Sequence, residues 1–517
     1  MVKRIIIICL FAILLSIGGC APQGEVPVAG PMPSILVVEE IEGSAEPSPK
    51  PASSEPDTGI EQIYNEYAIS LSVNPETGII TGNQRVSYIN KTGRELNEIC
   101  FNVPLNAFAM ESPVQPYFSD FRANIFPAER DYGYMNITGA MSGGIEARYD
   151  IESCELSVYL DTPLAAGKKC DVSIQFEAYV PKMNHRTGSN QHAMWMGAFL
   201  PTLCVFEDGG FRFDSYYPAG DPFYTEVANY SVNITAPSTY KVVATGVESV
   251  KEDDKVNTSS FSAKLVRDFT FAILDGSYKK TSKKTAGGVD INFYSRSTYG
   301  NLDSFLSNAV VACEFFSNYV GAYPYSKIDV VEAGLFFGSG AEFSQVIFMD
   351  ANYMLKPEAL RTMIHEIGHQ WFYNIIGSDQ INSPWQDEGL VCMIQEKIYF
   401  PELLDFQAKF EADYNTLSER LPNLPSLNLS ANISEYKDWT NYHNIQYTKG
   451  KLMVYSLNMK MGEEKFSEFI KEYYARYSYK IAKQEDFINL AEEIYGESLE
   501  EFFDNWLNED ALPPLYN

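Results

Sequence analysis

The sequence predicts an α+β, multidomain fold in which an N-terminal antiparallel β saddle or sandwich precedes a mostly helical domain. Apolar residues alternate with a period of two from about residue 64 to 275, with Gly, Pro, Asn and Asp clusters between the runs. From about residue 301 the period becomes that of helices, which we predict at 301–320, 358–376, 385–399, 450–461 and 487–495, with short strands at 327–331 and 345–348. We therefore place the β domain at 61–285 and the helical domain at 286–517.

Composition excludes two broad classes of protein. The chain has 517 residues, and 39 Lys and Arg against 68 Asp and Glu give a formal charge of −29. A balance this acidic excludes a protein that follows nucleic-acid phosphates, which needs a basic face. The 34 Tyr and 32 Phe exclude disorder over the whole length, because so many aromatic rings require a core. Only five histidines are present, which makes any histidine motif informative.

The first twenty residues have the pattern of a secretion signal. Lys3 and Arg4 precede an apolar run at 5–17 that is too short to span a membrane comfortably. The run ends in Ile-Gly-Gly-Cys20, which resembles a bacterial lipobox. We predict a lipoprotein signal peptide at 1–20 and a lipid on Cys20, with an ordinary cleaved signal peptide or an uncleaved anchor as alternatives.

The segment that follows Cys20 predicts a stalk. Residues 21–60 contain eight prolines and seven acidic residues against one lysine, so they cannot bury enough apolar surface to order themselves. We expect a disordered stalk that holds the folded part off the membrane. The predicted location is the cell envelope, with the chain lipid-anchored to the outer face of the cytoplasmic membrane, or periplasmic or at the outer membrane if the envelope has two membranes.

The helical half contains a metal-binding motif. Residues 365–369 read His-Glu-Ile-Gly-His, and positions i and i+4 of a helix present their side chains to one point. His365 and His369 are therefore predicted zinc ligands, with Glu366 close enough to act as a general base. Two solvent-exposed helical histidines are the alternative, which the apolar residues of the same helix disfavour.

The third ligand is predicted on the following helix. Glu388 lies nineteen residues beyond His369, in Trp-Gln-Asp-Glu-Gly-Leu, where a carboxylate completes a site of two histidines and one glutamate with an open fourth position. We predict one Zn²⁺ per chain.

At this point the sequence resembles the aminopeptidase N and leukotriene hydrolase family of gluzincin zinc peptidases. The resemblance rests on His365-Glu-Ile-Gly-His-Gln-Trp371 with Glu388 downstream, and it implies a thermolysin-like catalytic domain. Larger members continue with a small β domain and a long helical domain that this chain is expected to lack, so we expect a truncated lipoprotein form with a more open cleft.

The resemblance also implies substrate-binding residues. The family has a Gly-x-Met-Glu-Asn motif before the zinc helix, and the matching segment here is Gly338-Ser-Gly-Ala-Glu-Phe. Glu342 matches the glutamate that holds the substrate's free α-amine, and the backbone at Gly340 and Ala341 would pair with the peptide. Ala341 replaces Met and Phe343 replaces Asn, so the strength of amine binding stays open.

A second family motif supplies a candidate catalytic tyrosine. Tyr-Thr-Lys-Gly at 447–450 matches the family's Tyr-x-Lys-Gly, which implies that the Tyr447 phenol stabilises the oxyanion. His443, four residues earlier, is interpreted as incidental.

These residues predict an aminopeptidase that trims peptides with a free N-terminus at the cell surface. Zinc and Glu366 would activate water, Tyr447 would support the oxyanion and Glu342 would hold the N-terminus. Two alternatives stay open: a zinc endopeptidase on the same site, and a non-catalytic peptide-binding surface lipoprotein. No nucleic-acid partner is expected, and the sequence names no protein partner.

Overall fold

The computed structural model describes residues 64–296, 299, 302–336 and 340–516. The predicted signal peptide, Cys20, the stalk at 21–60 and Gly338 of the substrate motif lie outside the described residues, so the predictions on them stay predictions.

The N-terminal half consists mainly of strands. In chain order its elements are β1 (Asn65–Asn74), β2 (Ile79–Ile89), β3 (Leu96–Asn102), α1 (Arg122–Ile125), β4 (Tyr134–Ser142), β5 (Ile145–Glu146), β6 (Tyr149–Glu152), β7 (Glu155–Leu164), β8 (Lys169–Tyr179), β9 (Thr187–Ser189), β10 (Ala193–Met196), β11 (Thr202–Leu203), β12 (Phe206–Glu207), β13 (Gly210–Phe211), β14 (Ala228–Pro237), β15 (Lys241–Ala244), β16 (Val247–Lys251), β17 (Val256–Val266) and β18 (Phe271–Leu274). The largest sheet has eight strands in the order β16-β17-β14-β1-β2-β8-β4-β5, and two smaller sheets have the orders β15-β18-β10-β9 and β11-β3-β7-β6.

Alternation of apolar residues forms the core of this half. In β1, Tyr67, Ile69, Leu71 and Val73 are buried while the residues between them face outward. These side chains join one apolar cluster with residues of the smaller sheets. The pairing is antiparallel throughout the eight-stranded sheet except between β1 and β14, which run parallel. β1 and β14 can pair in parallel because the long chain segment between them can return to the end of the sheet at which β1 begins.

The C-terminal half is mostly helical around one mixed sheet. Its elements are β19 (Lys279–Lys284), β20 (Asp290–Ser295), α2 (Leu302–Tyr319), β21 (Lys327–Ala333), β22 (Gly340–Phe343), β23 (Val346–Asp350), α3 (Ala359–Gly368), α4 (Trp385–Tyr399), α5 (Leu403–Arg420), α6 (Trp439–Tyr442), a π-helix (His443–Lys449), α7 (Gly450–Met461), α8 (Glu463–Tyr477), α9 (Gln484–Tyr495) and α10 (Glu500–Leu507). The five strands have the order β19-β20-β21-β23-β22, so β22 has one neighbour among the described strands. The predicted fold class is confirmed. β19 precedes the predicted boundary after residue 285 and pairs with β20 beyond it.

One predicted helix is too long. The expected helix at 358–376 is α3, which ends at Gly368, and the chain then makes tight turns. Tyr373 has φ +105°, a left-handed conformation that no helix interior accepts. The predictions at 385–399 and 450–461 coincide with α4 and α7.

Among the residues that the structure describes, none of the helices combines the length and the apolar character that crossing a lipid bilayer requires.

Candidate active site

Three predicted metal ligands meet between α3 and α4. Nε2 of His365 lies 3.1 Å and Nε2 of His369 lies 3.3 Å from Oε2 of Glu388, and the two ring nitrogens are 3.0 Å apart. His369 and Glu388 are buried and His365 is partly exposed, so the cluster opens on one side. The structure therefore brings together the two histidines from one helix and the glutamate from the next.

Close packing of the two helices makes this approach possible. A Cβ atom added to Gly368 would lie 2.7 Å from a methyl group of Val391, so a larger residue there would force α3 and α4 apart. Because His365 and His369 are one helical turn apart, both rings face α4 at the level of Glu388.

The donor set fits zinc. Tetrahedral zinc with nitrogen ligands at about 2.05 Å has ligand atoms roughly 3.3 Å apart, close to the three separations in the cluster. Two imidazoles and one carboxylate are the ligands of catalytic zinc sites with an open fourth position. The three residues therefore form a suitable zinc site.

Each ligand is oriented by a second contact. Nδ1 of His369 lies 3.1 Å from the main-chain oxygen of Phe372, and Nδ1 of His365 lies 3.8 Å from the thiol of Cys392. The hydroxyl of Tyr447 donates to Oε1 of Glu388 at 2.5 Å. Such contacts fix the ring orientation and leave the other nitrogen of each histidine for the metal.

The predicted general base packs against the predicted substrate strand. Glu366 is 4% exposed, and a Cβ atom on Gly340 would lie 2.4 Å from its Cγ and 2.6 Å from its Oε1. Only glycine at residue 340 allows the strand backbone to come this close. The carboxylate of Glu366 therefore lies between the ligand helix and β22.

The side chains of β22 alternate between two environments. Ala341 and Phe343 belong to a buried apolar cluster, in which the Phe343 ring lies 5.6 Å from that of Phe348. Glu342 points the other way, and its carboxylate lies within 4.8 Å of those of Glu388 and Asp221. Neither Ala341 nor Phe343, the two departures from the family motif, therefore occupies the side where Glu342 would hold an amine.

Sequence reasoning missed Asp221. This residue lies in the loop between β13 and β14, and its carboxylate is held by Nε of Arg186 at 2.8 Å. Arg186 also donates to the main-chain oxygen of Gly220 at 2.9 Å, and its side chain is 4% exposed. The sequence shows a Gly-Asp-Pro passage here that resembles the family, but no spacing rule connects it to the zinc helix.

Burial dominates the ionisation of these carboxyl groups. Burial raises the pKa of Glu366 well above its usual value, and the charge of Glu342 adds to the effect. Burial also raises the pKa of Glu342, although the charge of His369 opposes it. Burial opposes ionisation of Glu388 too, but the charge of His369 and hydrogen bonds from both imidazoles hold its pKa below the usual value. Carboxylates buried together in this way favour a cation among them.

Tyr447 and His443 form a layered stack over the ligand cluster. Both residues lie on the π-helix, a geometry that often occurs at functional sites. The Tyr447 ring lies 5.8 Å from the His365 ring and 5.1 Å from the His443 ring, at interplanar angles of 26° and 13°. His443 therefore contacts the predicted catalytic tyrosine and is not remote from the site.

The fold and the site together have the arrangement of the gluzincins, a class of zinc metallopeptidases with a His-Glu-x-x-His helix and a distant glutamate ligand. A sequence model described as the peptidase family M1 domain matches residues 306–506. The match covers most of the helical half of the chain, and it confirms the resemblance to the aminopeptidase N family.

Similar proteins agree with this assignment. Aminopeptidase M1-B of Oryza sativa subsp. japonica is 25% identical over 49% of this chain and 30% of its own length. Glutamyl aminopeptidase of Bitis rhinoceros is 25% identical over 56% of this chain and 32% of its own length. The chain thus spans about a third of the length of these relatives.

Solved structures share the fold over nearly their whole length. An M1 zinc metallopeptidase from Deinococcus radiodurans is 16% identical, covers 88% of this chain and 97% of its own, and has a TM-score of 0.66. A mutant of an M1 zinc metallopeptidase from the same organism, bound to a Tyr-Ser-Ala substrate, is 17% identical, with coverage of 88% and 96% and a TM-score of 0.64.

Proposed function

We propose that this protein is a zinc-dependent aminopeptidase that removes N-terminal residues from peptides. The placement of Glu342 is the observation that carries the proposal, because its carboxylate lies in the same buried cluster as the metal ligand Glu388. A peptide whose α-amine contacts Glu342 would have its first carbonyl group beside the metal site. That arrangement limits cleavage to the first peptide bond.

The charge of the cluster supports binding of an ammonium group. Four carboxyl groups, those of Asp221, Glu342, Glu366 and Glu388, face one guanidinium group, that of Arg186. One divalent ion and one α-ammonium group would offset the negative charge of this set. Asp221 is held by Arg186, so Glu342 is the carboxylate most available to the amine.

His365, His369 and Glu388 would hold the zinc. When bound, zinc supplies a Lewis acid that polarises a carbonyl group and acidifies water. Glu366 would accept the proton at its carboxylate and later donate it to the leaving amine. Its burial against Gly340 excludes bulk water from that proton transfer.

Tyr447 would stabilise the oxyanion. Its hydroxyl already lies 2.5 Å from Oε1 of Glu388, at the open side of the ligand cluster. The stacked rings of His365 and His443 hold the phenol in place, and its hydroxyl would turn from Glu388 to the substrate oxygen as negative charge develops there.

The peptide backbone would pair with the edge of β22. Among the described strands β22 pairs only with β23, so an extended peptide could add as a further strand. Gly340 and Ala341 would supply these main-chain contacts. The aminopeptidase relatives and the Deinococcus metallopeptidase bound to Tyr-Ser-Ala support a peptide substrate with a free N-terminus.

A zinc endopeptidase on the same site is the second candidate function. It would require an internal peptide segment to pass the position of Glu342. The location of Phe343 in the apolar cluster, away from the amine side, favours the aminopeptidase.

Matched peptides with a free or an acetylated N-terminus test the proposal. The zinc-loaded protein should cut the free peptide with a kcat/KM at least about 100-fold above that for the acetylated one, because the acetyl group removes the charge that Glu342 binds. Glu366→Gln should retain zinc and lose cleavage of both peptides. Equal cleavage of the two peptides would support the endopeptidase, and no cleavage by zinc-loaded protein would support the non-catalytic peptide-binding alternative.

We also propose that Cys20 carries a lipid that anchors the protein at the outer face of the cytoplasmic membrane, or on the periplasmic side if the envelope has two membranes. The Ile-Gly-Gly-Cys sequence after an apolar run supports this location. Cys20→Ala should move the protein out of the membrane fraction, and a variant that stays there would contradict the lipid anchor.

A further inference from the structure

One dipeptide of the β half, Arg267-Asp268, contacts both segments that carry the candidate site. It lies in the short connection between β17 and β18, far from the metal ligands in sequence. Its partners include Ser344, directly after β22, and Tyr373, in the turns that follow the zinc-ligand helix.

Arg267 directs its donors to main-chain oxygens of three separate segments. Its Nε donates to Tyr373 at 2.6 Å, Nη1 to Thr225 at 2.6 Å and Nη2 to Lys480 at 3.0 Å. The residue is 2% exposed, and a Cβ atom on Gly377 would lie 2.3 Å from its Cζ. A buried guanidinium group with such partners fixes the position of the turn that contains Tyr373.

Asp268 connects this turn to the substrate strand. Its Oδ2 accepts a hydrogen bond from the Tyr373 hydroxyl at 3.1 Å and lies 3.1 Å from the Ser344 hydroxyl oxygen. The main-chain N–H of Ser344 also donates to Asp268 at 3.2 Å. Ser344 follows β22, so the carboxylate of Asp268 joins the strand of Glu342 to the turn after His369.

The turn is strained and it orients a metal ligand. Tyr373 has φ +105°, which a residue other than glycine holds only when its surroundings enforce it. The preceding residue, Phe372, places its main-chain oxygen 3.1 Å from Nδ1 of His369. Relaxation of Tyr373 would therefore move the group that sets the orientation of the His369 ring.

Two further contacts fix the same pair of segments to each other. The hydroxyl of Ser344 donates to Oδ1 of Asn374 at 2.5 Å, and the side chain of Gln370 donates to the main-chain oxygen of Phe343 at 3.1 Å. The spacing between the Glu342 strand and the His369 turn thus depends on a small set of polar contacts, of which Asp268 is the part contributed by the β half.

We propose that Arg267 and Asp268 are positioning residues that set the orientation of His369 and the placement of Glu342 relative to it. Neither residue belongs to the ligand cluster, and both act through Tyr373 and Ser344. The proposal rests on the proposed function for its catalytic consequence, whereas its effect on the metal site is independent of turnover.

A double-mutant cycle of Asp268→Asn with Tyr373→Gly tests the proposal. Asp268→Asn should weaken zinc binding roughly 10-fold and lower kcat by a similar factor, because an oriented second contact of a metal ligand is lost. Glycine adopts φ +105° without support, so in the Tyr373→Gly background the same substitution should change both quantities less than about threefold. Ser344→Ala, which removes the hydroxyl contacts at the other end of the link and keeps the main-chain N–H contact to Asp268, is the second variant if Asp268→Asn does not fold.

Arg212→Gln is the matched control. Arg212 also joins the two halves of the molecule, through Asp379, but its partners lie outside the ligand cluster, so zinc affinity and kcat per folded protein should stay at the wild-type value. Unchanged zinc affinity in both Asp268→Asn and Ser344→Ala, or an equal loss in the Tyr373→Gly background, would overturn the proposal. Failure of the zinc-loaded wild type to cut peptides would refute the proposed function alone, since zinc affinity would still decide the positioning role.

Discussion

Two ionic clusters join the β half to the helical half, and they differ in how their charges are matched. The first, the Arg212 cluster, consists of Arg212, Glu207, Asp214 and Asp379. Nη1 of Arg212 lies 2.6 Å from Asp379 and 2.9 Å from Glu207, and Nε lies 2.7 Å from Asp214. One guanidinium group therefore contacts all three carboxylates directly, although Oδ2 of Asp214 has no hydrogen-bond partner among the described residues.

The second, the site cluster, consists of Asp221, Glu342, Glu366, Glu388, His365 and His369. Its carboxylates converge on one another, and Arg186 binds one of them. In the Arg212 cluster every carboxylate contacts the guanidinium group, whereas in the site cluster Arg186 contacts Asp221 and the other carboxylates are placed to bind cations from outside. Substitutions in the two clusters should therefore have different effects.

The largest effect is expected from loss of a metal ligand. His369→Ala should lower the zinc content from about one per chain to near zero and reduce kcat/KM on the order of 10³-fold or more, since the activated water is lost. Atomic absorption of the dialysed variant and a peptide assay measure both quantities. Full activity without zinc would contradict the metal site, as would activity that survives a chelator in the wild type.

A smaller loss of activity is expected when the Tyr447 hydroxyl, which contacts Glu388, is removed. Tyr447→Phe keeps the stacking on His365 and removes the hydroxyl that also contacts Glu388, so kcat at saturating zinc should fall about 10²-fold to 10³-fold with KM little changed. Steady-state kinetics on one free-amine peptide measure this. A variant with wild-type kcat would show that the oxyanion is stabilised by another group.

The close approach of Gly340 to Glu366 predicts that a larger residue at 340 lowers kcat. Gly340→Ala places a methyl group where the Glu366 side chain lies, so the general base must shift and kcat should fall roughly tenfold. The spacing to zinc stays intact, so the zinc content should not change. Steady-state kinetics measure kcat, and a parallel assay measures the zinc content. An unchanged kcat would show that Glu366 has room to move.

Changes in the Arg212 cluster should affect stability and leave catalysis unchanged. Arg212→Gln leaves three partly buried carboxylates without their donor, which costs about 1–3 kcal/mol of unfolding free energy. Denaturant unfolding measures the loss, and kcat per folded molecule should equal that of the wild type. A lower kcat would mean that this cluster is coupled to the site.

The pH dependence of stability tests the Arg212 cluster through its carboxyl group on Asp214. Burial raises the pKa of Asp214 to about 6, although Arg212 opposes the shift. A carboxyl group whose pKa is higher in the folded state binds its proton more tightly there, so its contribution is full below about pH 4 and is lost as pH rises through 6. Asp214→Asn should remove this contribution, at most about 3 kcal/mol, and flatten Tm between pH 4 and 6.5. An unchanged slope would contradict the raised pKa.

The sequence predicted the parts of the site that depend on local spacing. His365 and His369 are one helical turn apart, and Glu388 begins the next helix, so a short stretch of chain determines how they meet. The alternation in β1 likewise predicted which residues are buried.

Features that depend on contacts between distant segments were not predictable. Asp221 reaches Glu342 only because a loop of the β half packs on the helical half, and no periodicity encodes that contact. The early end of α3 depends on the conformation of Tyr373, which Asp268 supports from far away in the chain. His443 was interpreted as incidental because its stacking on Tyr447 depends on the π-helix, which has no sequence signature.

The order in which products form shows whether Glu342 binds the substrate amine. A hexapeptide with a free N-terminus, incubated with the zinc-loaded protein and sampled by mass spectrometry, should lose single residues one after another from its N-terminus. Internal fragments that form first, or equal cleavage of the N-acetylated hexapeptide, would contradict the assignment of Glu342 to the substrate amine and with it the proposed aminopeptidase.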